Sequence, residues 1–175
     1  MVLAYVSNGQ SGTISIIDTK THAVIATVSV GDTPDTIAFT PDGKTAYVLF
    51  SDPVSDMAFV AVIDVKTHSV IATIPLGIDL DFVNNINFTA DGKFAYVTNA
   101  GSNNLSVVDT KTHSVIATVS VGGRPVFFDF TPDGKLVYAG NAIEGTVSVI
   151  DVKTHSVIST VDVGDRPLAI AFTPR

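Results

Sequence analysis

One carboxylate in this 175-residue chain stands where alanine would be expected. Four segments of the chain are near-copies of one another, and at one strand position they carry Ala38, Asn87, Asp129 and Ala171. A carboxylate at a half-buried position that accepts alanine has a desolvation cost, so it needs a partner, a cation or a raised pKa. Asp129 is therefore a candidate general acid/base. Asn87, at the same depth in the neighbouring copy, is a candidate for orienting a carbonyl or hydroxyl. The plainer alternative is a structural hydrogen bond from Asp129 to Asn87 or to water. Asp81 is the second candidate acid/base. Together with Asp79 it forms an Asp-x-Asp pair that could give oxygen ligands to Ca²⁺ or Mg²⁺, although the full EF-hand spacing is absent.

The residues that could surround such a carboxylate lie on two insertions. The connection at 51–57 is about four residues longer than its three counterparts, and that at 77–83 about three longer. Long loops at one end of a repeat scaffold are usual binding sites. Phe50, Met57, Phe59, Phe82 and Phe127, with Asp79, Asp81, Asn84 and Asn85, describe an apolar pocket with a few polar anchors. The alternative is that these side chains bury the loops or plug a gap. Arg124 and Arg166 precede Pro125 and Pro167, where another copy has Thr33. Two guanidinium groups there could hold a carboxylate or phosphate, or pair with Asp32 and Asp165. Glu144, the lone glutamate, reads as solvated.

These positions are carried by a repeat. The segment at 18–27 returns at 64, 109 and 151, and His22, His68, His113 and His155 mark its period. Each copy reads as four short strands, A to D. In the first complete copy A is 35–40, B is 44–50, C is 58–64 and D is 69–75. Pro41-Asp-Gly43 and Lys66-Thr-His68 make the turns. No segment has a helical period, and a repeat of this length with strand content means a propeller blade. Strand A is innermost, so its face bearing Asp129 and Asn87 is expected to border the central channel. The B–C and D–A connections share one end of the blades, the upper end. The A–B and C–D turns, with all four histidines, share the other. A metal or triad role for these histidines is disfavoured, and a structural or solvated role is expected.

The segments Ala95-Tyr-Val-Thr-Asn99, Leu105-Ser-Val-Val-Asp-Thr110, Ser114-Val-Ile-Ala-Thr-Val-Ser-Val-Gly122 and Pro132-Asp-Gly-Lys135 together resemble the YVTN β-propeller repeat family, over essentially the whole chain. The resemblance implies an all-β propeller of four-stranded antiparallel blades. Blades are expected at 34–75, 83–120, 125–162, and 167–175 together with 2–29, as one domain spanning 1–175. The C-terminal strand A is expected to pair with the N-terminal strand B, closing a four-bladed ring in a monomer. Two chains could instead form an eight-bladed homodimer. Families of this kind include surface-layer proteins, periplasmic binding proteins, a sugar-acid lactonase and a streptogramin lyase. The resemblance thus implies a periplasmic, secreted or surface location.

Composition narrows the partners. The net charge is −7 without any Lys/Arg cluster, which disfavours nucleic acid. Zero cysteines exclude disulfides and thiolate chemistry. No apolar run reaches the length of a membrane helix. No glycine-rich phosphate loop is present. No cofactor is called for, apart from the Ca²⁺ or Mg²⁺ that Asp79 and Asp81 could hold. Two functions fit these residues. One is small-molecule binding at a Phe-lined upper pocket, with or without lyase, isomerase or lactonase-like acid/base catalysis. The other is a non-enzymatic structural or protein-interaction module.

Overall fold

A computed structural model of the chain describes residues 1–78 and 85–173. It forms two compact units, Met1–Gly77 and Ile78–Arg175. All regular structure among the described residues is antiparallel β. In the first unit β1 (Leu3–Asn8), β2 (Thr13–Asp18) and β3 (Ala23–Ser29) make one sheet. Strands β4 (Pro34–Phe39), β5 (Thr45–Asp52), β6 (Met57–Asp64) and β7 (Ser69–Ile78) make the next. In the second unit β8 (Ile86–Phe88), β9 (Phe94–Asn99), β10 (Asn104–Asp109) and β11 (Ser114–Ser120) form one sheet. Strands β12 (Pro125–Phe130), β13 (Leu136–Asn141), β14 (Thr146–Asp151) and β15 (Ser156–Asp162) form the other. The A–B–C–D order expected from the repeat is thus present in three sheets, and B–C–D in the first.

The turns follow from aspartate chemistry. In the β6–β7 turn Asp64 Oδ1 accepts the backbone N–H of Lys66 at 3.0 Å, that of Thr67 at 2.7 Å and the Thr67 hydroxyl at 2.9 Å. These bonds to the ionised form hold the Asp64 carboxyl below the usual carboxylate range. In the β4–β5 turn Asp42 takes the Thr40 hydroxyl at 2.8 Å and the Lys44 N–H at 3.1 Å, while Gly43 supplies a φ of 67°. The Lys44 N–H, and next the Thr40 hydroxyl, lower the Asp42 pKa to about 2. Thr89 and Thr131 bond Asp91 and Asp133 in the same way, which gives the repeated threonines a scaffold role.

Within each unit the sheets are joined by apolar packing and by one repeated tie. Ile14, Ile16 and Val28 of the first sheet pack with Ala46, Val48, Ala61 and Ile63 of the second. In the other unit Tyr96, Leu105 and Val107 pack with Phe128, Val137 and Ile150. The tyrosine near the start of strand B meets the phenylalanine of the following strand A edge-on. The Tyr5–Phe39 centroids are 5.0 Å apart, Tyr96–Phe130 5.4 Å and Tyr138–Phe172 5.3 Å. The tyrosine hydroxyl also reaches the histidine of the next C–D turn, at 3.3 Å for Tyr5–His68 and 2.6 Å for Tyr96–His155. Those histidines therefore have a structural use. All four adopt left-handed backbone, with φ between 50° and 58°.

The closing strand differs from expectation. Residues 163–173 carry no strand, and the sheet of β1 has three strands rather than four. Ile170 and Phe172 are half-buried between exposed Ala169 and Ala171, so the segment keeps the alternation of a strand A. It lacks a ladder partner, and Phe172 rests on Tyr138. Residues 163–173 therefore take part in no sheet among the described residues.

Candidate functional site

Asp129 lies on β12, half-buried, opposite Tyr138 of β13. Asn87 lies on β8, exposed, opposite Tyr96 of β9. The two use one local device. Asp129 Oδ1 accepts the N–H of Phe130 at 2.8 Å, and Asn87 Oδ1 accepts that of Phe88 at 2.8 Å. Each side chain is braced by its own strand, and no Asp129–Asn87 hydrogen bond is formed among the described residues. The second carboxylate oxygen of Asp129 has no hydrogen-bond partner among the described residues. Asn85, half-buried just before β8, is fixed through its backbone: its N–H donates to Thr98 Oγ1 at 2.8 Å and its carbonyl accepts the Thr98 N–H at 3.0 Å.

The aromatic residues are placed inward. At the upper end of strand B, three sheets carry a polar trio. Asn8 Nδ2 donates to Thr13 Oγ1 at 3.1 Å and Ser15 Oγ at 2.8 Å. Asn99 Nδ2 donates to Asn104 Oδ1 at 2.6 Å and Ser106 Oγ at 2.8 Å. Asn141 Nδ2 donates to Thr146 and Ser148, both at 2.9 Å. In the β4–β7 sheet the equivalent register pair is Phe50 and Phe59, with Ala61 two residues on. Those rings stack with centroids 5.2 Å apart and planes 15° from parallel. Phe50 is 9% exposed, and a Cβ on Gly31 would lie 2.3 Å from its ring. Phe127 is 8% exposed and covers Gly140, where an added Cβ would meet its ring at 2.2 Å. Met57 is half-buried at the start of β6.

The 51–57 insertion is a hairpin extension rather than an open loop. The ladder continues past Phe50–Phe59 through Ser51–Ala58 to Asp52–Met57. Asp52 closes the tip by accepting the Val54 N–H at 2.9 Å and the Ser55 hydroxyl at 2.6 Å. Those bonds, the Ser55 hydroxyl foremost, lower its pKa. Of the remaining candidates, Asp79, Asp81, Phe82 and Asn84 lie outside the described residues. Among the described residues no three His, Asp or Glu side chains gather as a metal site.

Arg124 and Arg166 occupy strained corners. Their φ values are 54° and 52°, and Thr33 at the matching corner has 42°. Left-handed backbone is uncommon for residues other than glycine, asparagine, aspartate and histidine. The Arg124 N–H donates to Asn103 Oδ1 at 2.8 Å, and its carbonyl accepts the Ala142 N–H at 3.1 Å. Glu144, expected in solvent, accepts the Gly123 N–H across the same corner. Two features escaped the sequence reading. The first is the polar trio, which the Asn with Thr or Asn five residues later and Ser seven later would have revealed. Asn99 and Asn141 are 3% and 0% exposed, and the Oδ1 of each is buried with no hydrogen-bond partner among the described residues. The second is charge segregation. All seven lysines follow an aspartate by two positions in A–B or C–D turns, so the net −7 comes from the other acids against three arginines. In the first unit Asp32, Asp52 and Asp56 lie at the upper end of the sheets, and in the second Glu144 and Asp165 lie there with Arg124 and Arg166.

Comparison with known proteins places the chain in context. The family model described as "Lactonase, 7-bladed beta-propeller" matches residues 3–163. The uncharacterized protein YncE of Salmonella typhi is 44% identical over 45 residues, which is 26% of this chain and 13% of that protein. YncE of Salmonella typhimurium matches at the same 44% over 45 residues. Among solved structures, hydrazine synthase of Kuenenia stuttgartiensis superposes with a TM-score of 0.78 at 26% identity, covering 93% of this chain and 46% of that one. A functionally unknown protein of Desulfotomaculum acetoxidans gives a TM-score of 0.73 at 17% identity, covering 93% and 53%, a likeness of fold. The chain thus spans about half the length of these solved structures, with 46% and 53% of each covered.

Proposed function

We propose, from the premise that this chain belongs to the seven-bladed β-propeller lactonase family, that it is a propeller module binding a small molecule along the strand-A face of its sheets, from the upper corners down to Asp129, and acting on it by acid/base chemistry. Asp129 is the base. Its carboxylate is braced through Oδ1 by the Phe130 N–H, and Oδ2 is left to take a proton. In a lactone-opening reaction Asp129 draws a proton from water as the water oxygen adds to the acyl carbon. The acyl C–O bond of the ring then breaks, and the proton returns to the departing ring oxygen. The products are one hydroxyl and one carboxylic acid on the same molecule, and the acid loses its proton to water to become the carboxylate. Asn87 and Asn85 orient the ester, and Arg124 and Arg166, at the upper corners, anchor an anionic group carried elsewhere on the molecule. Asp81, on the insertion outside the described residues, is the alternative base.

The observation that carries this reading is Asp129 itself, a half-buried carboxylate at a strand-A position that is Ala38 and Ala171 in sister repeats. Titration calorimetry with a short hydroxy acid tests the binding half. The proposal expects binding that weakens at least tenfold in the Arg124→Gln, Arg166→Gln double variant, and equal affinity in both proteins would contradict it. Four repeats in one chain are read as four blades, closed as a monomer or as an eight-bladed homodimer, which native mass spectrometry separates.

A second reading, a non-enzymatic interaction module, is supported by a different observation. Phe50 and Phe127 are committed to packing over Gly31 and Gly140, so the aromatics that would line an apolar pocket serve the scaffold. Under this reading the upper end docks a protein, and neither lactones nor hydroxy acids bind.

A further inference from the structure

We propose that the hydrogen bond between Tyr96 and His155 is an acid-sensitive tie between the two sheets of the Ile78–Arg175 unit, and that protonation of His155 loosens it. Tyr96 stands on β9 with 0% exposure, among Leu105, Val107 and the Phe128 and Phe130 of β12. Its hydroxyl emerges at the turn between β14 and β15 and meets His155 Nδ1 at 2.6 Å. The ring of Phe94 lies edge-on to the imidazole at 5.0 Å and shields one side of it. Two side chains of β9 therefore grip a turn of the other sheet, with a single neutral hydrogen bond between strand and turn.

Protonation reverses that bond, making Tyr96 the acceptor. A neutral imidazole with its proton on Nε2 accepts from Tyr96 at Nδ1. Once protonated, both ring nitrogens are donors, and the tyrosine must turn its own proton away. Among the described residues the Tyr96 hydroxyl has no other acceptor. The groups facing His155 do not offset this. From β9 come Tyr96 and Phe94, neither of them charged at neutral pH. On its own turn Asp151 attracts the imidazolium, but Asp151 Oδ1 already accepts the Thr154 N–H at 2.8 Å and hydroxyl at 2.9 Å, and Lys153 draws on the same carboxylate. Phe94 and Val152 also line a groove of about 250 Å³ that includes Asp91 and Asp133. Those two are held by Lys93 at 3.0 Å and Lys135 at 3.9 Å. Burial is the larger influence and Asp151 the smaller, so His155 lies below the ordinary histidine pKa of 6.5.

The sign follows. The folded unit binds the proton less readily than the unfolded chain, so the tie contributes fully above pH 6.5 and is lost as pH falls through the depressed value. Each unit of depression corresponds to a tenfold loss in the folding constant across that window. Tyr5 and His68 repeat the tie in the other unit at the longer distance of 3.3 Å.

The test is an NMR titration of the histidine rings of the intact chain, with His155 assigned by the signal lost in His155→Gln. The proposal expects the Nε2–H tautomer at pH 7.5, a midpoint below 6.5, and a midpoint that moves up in Tyr96→Phe. Urea unfolding between pH 7.5 and 5 should show stability falling with pH in the wild type and falling less in Tyr96→Phe. An Nδ1–H tautomer, a wild-type midpoint at or above 6.5, or a midpoint unchanged by Tyr96→Phe would each overturn it. The tautomer and the wild-type midpoint need no variant to fold.

Discussion

Replacing Phe50 by alanine separates a scaffold role from a pocket role. Phe50 belongs to the core of the first unit, stacked on Phe59 with 5.2 Å between centroids and only 9% exposed. Truncating a buried phenylalanine costs about 3–5 kcal/mol, and an aromatic pair adds about 0.5–1.5 kcal/mol beyond area burial. The site lies near the end of the sheet, where the chain can settle into part of the space, so the lower figure of about 3 kcal/mol applies. With an m-value of about 2 kcal/mol/M, the urea midpoint drops by about 1.5 M. A cycle with Gly31 sharpens the test. Gly31→Ala sets a Cβ 2.3 Å from the Phe50 ring at a φ of 136°, so it suffers both a clash and backbone strain. In the Phe50→Ala background the clash vanishes and the strain remains, which predicts a coupling of about 1–2 kcal/mol. The assay is urea unfolding followed by far-UV circular dichroism on all four proteins. A Phe50→Ala loss below about 1 kcal/mol with additive Gly31→Ala would refute the packing argument and return Phe50 to a ligand pocket.

Three further outcomes follow from the same structure. Asn141→Ala strips Thr146 and Ser148 of their partner at a position 0% exposed, and should cost about 1–3 kcal/mol in urea unfolding. His22→Gly relieves a φ of 58° at an exposed turn, so stability should change by less than about 1 kcal/mol either way, whereas His155→Gly also cuts the tie to Tyr96 and should destabilise in the same assay. Asp42 and Asp91 each have a pKa lowered to about 2, Asp42 first by the Lys44 N–H and Asp91 first by the Thr89 hydroxyl. Their stabilisation is present above the unfolded value and lost as pH falls through the folded one, so in acid unfolding between pH 4 and 2, Thr89→Val should flatten the loss.

Repetition made the fold legible. The Pro-Asp-Gly and Asp-x-Lys-Thr-His turns are local, each built by an aspartate on its own backbone, so sequence alone placed the hairpins. Family membership over residues 3–163 and the antiparallel sheets agree with an all-β propeller reading. The site was less legible because its residues are decided across strands. Phe127 read as a pocket residue until Gly140, on the adjacent strand, proved to be the space it fills. Phe50 and Phe59 read as loop aromatics, but their direct pairing carries the ladder on to Asp52–Met57. His68 and His155 gained a partner only through the tyrosine of the preceding repeat. Asp129 stood out by comparison with its sister repeats, although its Phe130 N–H brace is a detail of backbone geometry that no repeat alignment reveals.

The most direct test of the central claim is hydrolysis of a panel of γ- and δ-lactones in a pH-stat, comparing the wild type with Asp129→Asn. The account predicts turnover by the wild type and a fall in kcat/KM of about 10²–10⁴ in the variant, with the circular dichroism spectrum unchanged. Equal rates in the two proteins, or no turnover of any lactone by the wild type, would contradict it and leave the interaction module as the reading that stands.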